Sequence, residues 1–392
     1  MKSFSFTHEQ LCRVLAALIA DELARRHSRY IEGLAHSGWT AETLLGPGGA
    51  EMTPPQLKDC AARAAELFGH DSSVLVTADA RKIGDWATIL ERLTRDELTS
   101  FTFYPHTQSG EAATRHAADD IFLDSAAVAS LLAGRRRTVS MVPPHSLLGL
   151  TSVVIAPNLQ RIPVIDARTM TPDELADQLA FGDLVVATPT LWRYLVATLP
   201  GIPSNVVALS YGEALTIDLA QRLRERGLGA LRELYGSTES GVVAWRDNQA
   251  EPFVLFDHWD RDGDAIIRKR PDGRSLRLIP MDEVAWEGKR SFRLGQRRDG
   301  AVQIGAVNVF PAQIAAIIEK HPAVVSCEVR LSRRPGQLDR LIADLVVHSD
   351  IAPDQDMAWE VDEWCRERLR PAERPRIYRF TAAPRGAQDG SH

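Results

Sequence analysis

The sequence predicts an α/β protein with a large N-terminal α/β domain and a small C-terminal α+β domain. Two observations carry this. Short apolar runs at 138–142, 162–165, 184–190 and 206–210 alternate with stretches of helical composition, the pattern of strands and helices layered on a mostly parallel sheet. Beyond about residue 295 the pattern changes to helix (311–320), strands (324–331 and 341–347) and helix (359–369), a lobe with its own modest core. A chain of 392 residues is long enough for both.

In order, Thr7 and Gln10 have capping-box spacing, and Leu11, Val14, Leu15, Leu18, Ile19 and Leu23 recur at helical intervals up to Arg25-Arg26. Gly46-Pro47-Gly48-Gly49 is a loop, Pro54-Pro55 opens a second helix to about Phe68, residues 73–77 read as a short strand, and a third helix ends near Leu98. The stretch 143–149 is helix-compatible, Trp192 and Tyr194 read as core, and Trp245 is open between core and pocket. Residues 253–294 read as short strands and turns, including Pro271-Asp272-Gly273.

A net charge of −6 and a pI near 6.0 exclude the basic excess that nucleic-acid binding requires, so no nucleic-acid partner is expected. Cys12, Cys60, Cys327 and Cys365 have no CxxC or Cys/His spacing and read as reduced thiols, which fits a cytoplasmic protein. Residues 14–20 are too short an apolar run to span a bilayer, and no targeting signal or membrane association is expected.

The densest chemistry lies in Tyr235-Gly236-Ser237-Thr238-Glu239-Ser240-Gly241. Tyr235 offers a face for a planar ring, Gly236 lets a ligand approach the backbone, Ser237 and Thr238 can donate to phosphate oxygens, and Glu239 can hold a divalent cation. The alternative is a turn whose hydroxyls cap backbone groups.

This segment resembles the adenylate-forming superfamily of acyl-CoA synthetases, peptide-synthetase adenylation domains and luciferases, in which a Tyr-Gly-x-Thr-Glu segment contacts AMP. A second match, Gly295-Gln296-Arg297-Arg298-Asp299-Gly300 with Val307–Pro311 and His321–Val324, resembles the family's hinge. The resemblance implies a large adenylate-forming domain at 1–295 and a small mobile domain at 296–392, hinged near Arg297-Arg298. It places Tyr235 against adenine, Thr238 at phosphate, Glu239 at Mg²⁺, Asp282 on the ribose hydroxyls and Arg297 at phosphate. Gly212 and Glu213 fall in the segment that lines adenine and the acyl group, and His145 and Ser240 fall near the acyl substrate. The implied activity is ATP-dependent activation of a carboxylic acid, aromatic by analogy, with CoA, a carrier protein or a reductase as acceptor. The implied setting is bacterial secondary metabolism such as phenazine or arylpolyene antibiotic biosynthesis, with a homodimer possible.

Two departures from the family pattern open a second expectation. Thr107, Ser109, Gly110 and Glu111 are a partial phosphate-loop pattern, but no Lys occurs between Lys82 and Lys269, leaving Arg115 or His116 as replacement cations. Pro384–His392 stands where the family ends in a catalytic Lys and contains none. A nucleotide- or acyl-binding helper without full adenylation activity is the alternative.

Overall fold

The computed structural model describes residues 4–27, 38–76, 80–104, 113–270, 272–304, 307–332, 339–348 and 355–383. The partial phosphate-loop pattern at 107–111 and the tail 384–392 lie outside the described residues. Two compact units divide the chain: Met1–Pro105, Ala112–Pro280 and Trp286–Arg293 form the larger, and His106–Glu111, Met281–Ala285 and Leu294–His392 the smaller.

Helices α1 (His8–His27), α2 (Pro54–Leu67) and α3 (Ile83–Asp96) open the larger unit, α1 packing on both others. The expected capping box forms: Thr7 N donates to Gln10 Oε1 at 2.9 Å and Gln10 N to Thr7 Oγ1 at 3.3 Å. The apolar positions from Leu11 to Leu23 are buried. Of the strand expected at 73–77, Thr77 lies outside the described residues, and the described part instead opens as a 3₁₀ turn at Ser72–Val74, where Asp71 Oδ1 accepts the Ser73 N–H at 2.9 Å and local capping competes with extension.

Strands β1 (Ser100–Phe103) and β2 (Thr114–Ala117) form an antiparallel ribbon, with Phe101 opposite His116. Helix α4 (Ala118–Leu131) follows, then β3 (Arg137–Ser140). The helix-compatible stretch becomes α5 (Leu147–Gly149), which runs through a π-helical segment, Leu150–Ile155, into α6 (Ala156–Gln160). The doubly wound part continues with β4 (Val164–Asp166), α7 (Pro172–Gln178), β5 (Asp183–Ala187), α8 (Pro189–Thr198), β6 (Val207–Ser210), α9 (Ile217–Glu225) and β7 (Ala230–Ser237).

Strands β4, β3, β5, β6 and β7 lie side by side in that order, all parallel. Every residue of β5 is buried, as a strand covered on both faces requires. Val139, Val185, Ala208 and Leu231 form a cross-strand row that packs with Trp192 and Leu195 of α8 and Leu219 and Leu223 of α9. Tyr194, expected in the core beside Trp192, is 48% exposed, since two helical positions on from a buried residue points away from the sheet.

Antiparallel β8 (Gly241–Arg246) and β9 (Phe253–Leu255) extend the sheet beyond β7, and β10 (Trp259–Asp262), β11 (Ala265–Lys269) and β12 (Ser275–Leu278) form a separate meander. The chain then runs through β13 (Asp282–Trp286) and β14 (Ser291–Arg297). In the smaller unit, β15 (Val302–Ile304) and β16 (Val307–Val309) pair before α10 (Pro311–Ile318). Strand β18 (Arg340–Val347) pairs antiparallel with β17 (Val324–Ser332) and parallel with β19 (Ile377–Ala382), with α11 (Gln355–Arg368) in the connection. Ile314, Ile318, Leu341, Leu345, Val361 and Leu369 form its core. Among the described residues, no helix is long and apolar enough to cross a membrane.

Leu195→Ala empties a closed position, Leu195 being 1% exposed, and is expected to cost about 2–5 kcal/mol of stability, whereas Tyr194→Ala should stay within about 0.5 kcal/mol. Urea unfolding followed by tryptophan fluorescence compares the two.

Candidate functional site

Strands β6 and β7 pair with Ser210 opposite Glu233, so the residues beyond them, Gly212-Glu213 and Tyr235 onward, emerge at the same carboxyl end of the sheet. In open α/β sheets this end carries ligands. Gly212 has φ +91°, a backbone state that favours glycine. Glu233 ties the two segments: Oε1 accepts Leu215 N at 3.1 Å and Oε2 accepts Arg246 Nε at 2.7 Å. Burial pushes the Glu233 carboxyl up, against the opposing pull of Arg246.

The motif is a β7–β8 hairpin with Thr238–Ser240 at its turn. A bulge falls between Tyr235 and Gly236. A Cβ on Gly236 would run into the Gly241 carbonyl, so the hairpin itself demands this glycine, whatever a ligand might add. Ser237 and Ser240 bind each other: Ser237 N donates to Ser240 Oγ at 3.1 Å and Ser240 N to Ser237 Oγ at 3.2 Å. Among the described residues, by contrast, the Thr238 and Glu239 side chains make no hydrogen bond or ion pair, and Glu239 is exposed. The half-buried Tyr235 ring packs against Phe253 and Phe292, with centroids 5.8 and 5.6 Å away.

Beneath the turn lies a buried ionic cluster that the sequence does not announce. Asp124 of α4 is fully buried; its carboxylate accepts from Arg268 Nη1 (2.9 Å) and Nη2 (3.1 Å), His258 Nε2 (2.8 Å) and Val242 N (2.9 Å). Arg268 Nη2 also donates to the Ser240 carbonyl at 2.8 Å, and its guanidinium stacks 4.5 Å from the Trp259 ring. Arg270 pairs with Asp120 one helical turn before Asp124. Gly241, at φ +80°, lets this cluster close, since a Cβ there would sit 2.6 Å from Arg268 Nη2. The available signal was Asp120 and Asp124 at i, i+4 on the helix face that carries Ile121 and Val128; carboxylates on an apolar face need buried partners.

Of the two residues considered as replacement phosphate cations, His116 is turned to the backbone, while exposed Arg115 commits only its Nε among the described residues. Arg115 Nε donates to Ser100 Oγ at 2.8 Å, and the buried His116 places Nε2 2.7 Å from the Thr238 carbonyl. Burial lowers the pKa of His116, which favours the neutral ring and so disqualifies it as a substitute for lysine charge.

The remaining candidates divide between the units. Glu213 is buried, with Oε2 accepting from Thr190 Oγ1 (2.9 Å) and Arg193 Nη2 (3.1 Å). His145, 5% exposed, has both ring nitrogens buried without a hydrogen bond among the described residues, with Nε2 3.6 Å from Asp21 Oδ2. Tyr211, beside Gly212, is buried, and burial pushes its pKa up. In the smaller unit, Arg298 N donates to the Met281 carbonyl at 2.8 Å, bringing together the strand ends that carry Asp282 and Arg297. Arg297 is bidentate to Asp299, with Nε–Oδ1 3.0 Å and Nη2–Oδ2 2.6 Å, so a phosphate there would compete with a carboxylate.

A parallel sheet with a glycine turn and an exposed carboxylate at its carboxyl end is the arrangement at which open α/β sheets commonly carry ligands. The sequence is 32% identical over 310 residues to a 4-coumarate–CoA ligase of Halorhodospira halophila, the match covering 78% of each chain. It is 27% identical over 261 residues to a 4-coumarate–CoA ligase of Cereibacter sphaeroides, covering 65% of this chain and 62% of that one. No protein-family model matches the chain. The fold is shared with an o-succinylbenzoate–CoA synthetase of Bacillus subtilis (TM-score 0.59, 16% identity, 96% of this chain and 90% of that one). An amide bond synthetase of Marinactinospora thermotolerans is similar (TM-score 0.58, 15% identity, 94% and 90%). The chain belongs to the adenylate-forming superfamily of acid-activating, AMP-forming ligases.

Arg268→Met would strand Asp124 in the interior and is expected to cost about 3–5 kcal/mol, read from chemical denaturation. The lowered His116 pKa gives a signed pH dependence: the unfolded ring takes up a proton near pH 6.5 and the folded ring only at lower pH. The His116 contribution to stability is therefore complete above about pH 6.5 and declines as pH falls below it; melting curves of wild type and His116→Phe should differ in slope there.

Proposed function

We propose that this ligase activates an aromatic carboxylic acid of the hydroxycinnamate kind as an acyl-adenylate and passes the acyl group to CoA. The observation that carries the proposal is the β7–β8 turn, where Ser237 and Ser240 satisfy each other while Thr238 and Glu239 are left without side-chain partners among the described residues. The coumarate ligases supply the acid class and favour CoA over a carrier protein or reductase as acceptor. Bacterial aromatic secondary metabolism is a compatible setting.

In this scheme a substrate carboxylate oxygen attacks the α-phosphorus of ATP, the bond to the bridging oxygen breaks, and pyrophosphate leaves with the electron pair. The CoA thiolate then attacks the acyl carbon and AMP departs. Thr238 donates its hydroxyl to the α-phosphate, and Tyr235 lies against adenine with Gly212 and Glu213 alongside. By the family resemblance, Asp282 would accept from ribose hydroxyls and Arg297 would contact phosphate in place of Asp299. By the same resemblance, His145 and Ser240 would contact the acyl group. Glu239 would hold Mg²⁺, which when bound would neutralise phosphate charge. No cluster of three or more metal-ligating side chains occurs among the described residues, and a single exposed carboxylate fits an ion that draws most of its ligands from phosphates and water.

One observation favours the helper alternative: no Lys occurs between Lys82 and Lys269, and the buried His116 is bonded to the Thr238 carbonyl. Carboxylate-dependent exchange of labelled pyrophosphate into ATP separates the two. Exchange with aromatic acids is expected, and Glu239→Ala should reduce it roughly 10²- to 10³-fold. Nucleotide binding without exchange would favour the helper, and no nucleotide binding would remove both.

The small domain is proposed to pivot near Arg297-Arg298 between the half-reactions. Arg298→Pro removes the N–H that bonds Met281 and fixes φ, so thioester formation should fall more than exchange; equal loss of both would count against a pivot there.

A further inference from the structure

The turn that presents Thr238 and Glu239 is fastened from below at three backbone atoms, each by a buried side chain on a different element. Arg268 of β11 holds the Ser240 carbonyl at 2.8 Å, and Asp124 of α4 holds Val242 N at 2.9 Å. His116 of β2 holds the Thr238 carbonyl at 2.7 Å. The first two anchor the downstream half of the turn. The third is different, because the Thr238 carbonyl belongs to the peptide that joins Thr238 to Glu239. Holding that carbonyl fixes ψ of Thr238 and with it the path of the backbone from Thr238 into Glu239.

We propose that His116 is a positioning residue for acid activation, its Nε2–H fixing the Thr238–Glu239 peptide so that both side chains meet the nucleotide. A carbonyl oxygen only accepts, so Nε2 must carry the proton. The ring is itself held: it is 5% exposed, its centroid lies 6.0 Å from that of Phe103, and its strand is registered by Phe101 opposite His116. A donor this constrained transmits little slack, and displacement of a reacting group by about 1 Å can cost on the order of 10²-fold in rate. Nothing else among the described residues bonds the Thr238 carbonyl, so the downstream anchors cannot replace it.

The inference rests on the adenylation proposal, and its test keeps the two apart. Pyrophosphate exchange is measured as a function of ATP and of acid for wild type, His116→Phe and His116→Gln, with melting temperatures for all three. Phenylalanine keeps the ring without a donor; glutamine returns an N–H at similar reach. His116→Phe is expected to lower kcat/KM for ATP about 10- to 100-fold while leaving KM for the acid within about twofold, and His116→Gln to recover most of the loss. Unchanged ATP kinetics in a folded His116→Phe would overturn the inference. So would equal losses in both variants that extend to the acid KM and follow melting temperature, the mark of a purely structural role. If wild type shows no exchange, the adenylation proposal fails by itself. AMP binding by calorimetry then decides the inference: about tenfold weaker binding by His116→Phe, restored by glutamine, supports it, and equal binding by all three refutes it.

Discussion

The ion pair between Asp124 and Arg268 is the contact on which the candidate site depends. Two formal charges are almost completely removed from water, an arrangement that costs several kcal/mol per ion unless the remaining lone pairs and protons are satisfied. Here most are. Asp124 takes four hydrogen bonds, and Arg268 spends its outer nitrogens on Asp124, the Asp120 carbonyl and the Ser240 carbonyl. The pair contributes through geometry more than through net energy: it admits one position of the β8 start, and therefore one position of the turn before it.

That constraint explains the glycines of the motif better than ligand access alone. Gly236 is needed because the two hairpin strands approach closely at the bulge, and Gly241 because the Asp124–Arg268 pair presses against its α-carbon. The serines are consumed by the same economy, each satisfying the other. What the hairpin leaves over is Thr238 and Glu239, so the residues outside the scaffold are those to which nucleotide chemistry is assigned. The self-capping turn accounts for Ser237 and Ser240, and the proposed ligand role falls to Thr238 and Glu239.

The chain's own patterns made much of this legible. Helical periodicity from Leu11 to Leu23, the buried apolar run at β5, and the strand–glycine–helix order at Ser210–Leu215 are local signals, and the elements they predict are present. Errors arose where a local polar group outbid an apolar pattern, as Asp71 did at Ser72–Val74, or where burial depended on which helical face met the sheet, as with Tyr194. By position alone, His116 is a charge available to phosphate. Its neighbours instead make it a neutral donor to the backbone, which no inspection of residues 101–116 alone could reveal.

Sequence alone determined the α/β class, the superfamily resemblance and the segment that carries the candidate chemistry, because periodicity and motif spacing are short-range properties written in consecutive residues. The tertiary structure alone decided how that segment is held. His116 reaches Thr238 across 122 positions, Asp124 reaches Val242 across 118, and Arg268 reaches Asp124 across 144. Partnerships at such separation are set by how strands and helices pack, and a buried charge shows its partner only once the fold has removed the water that would otherwise have solvated it.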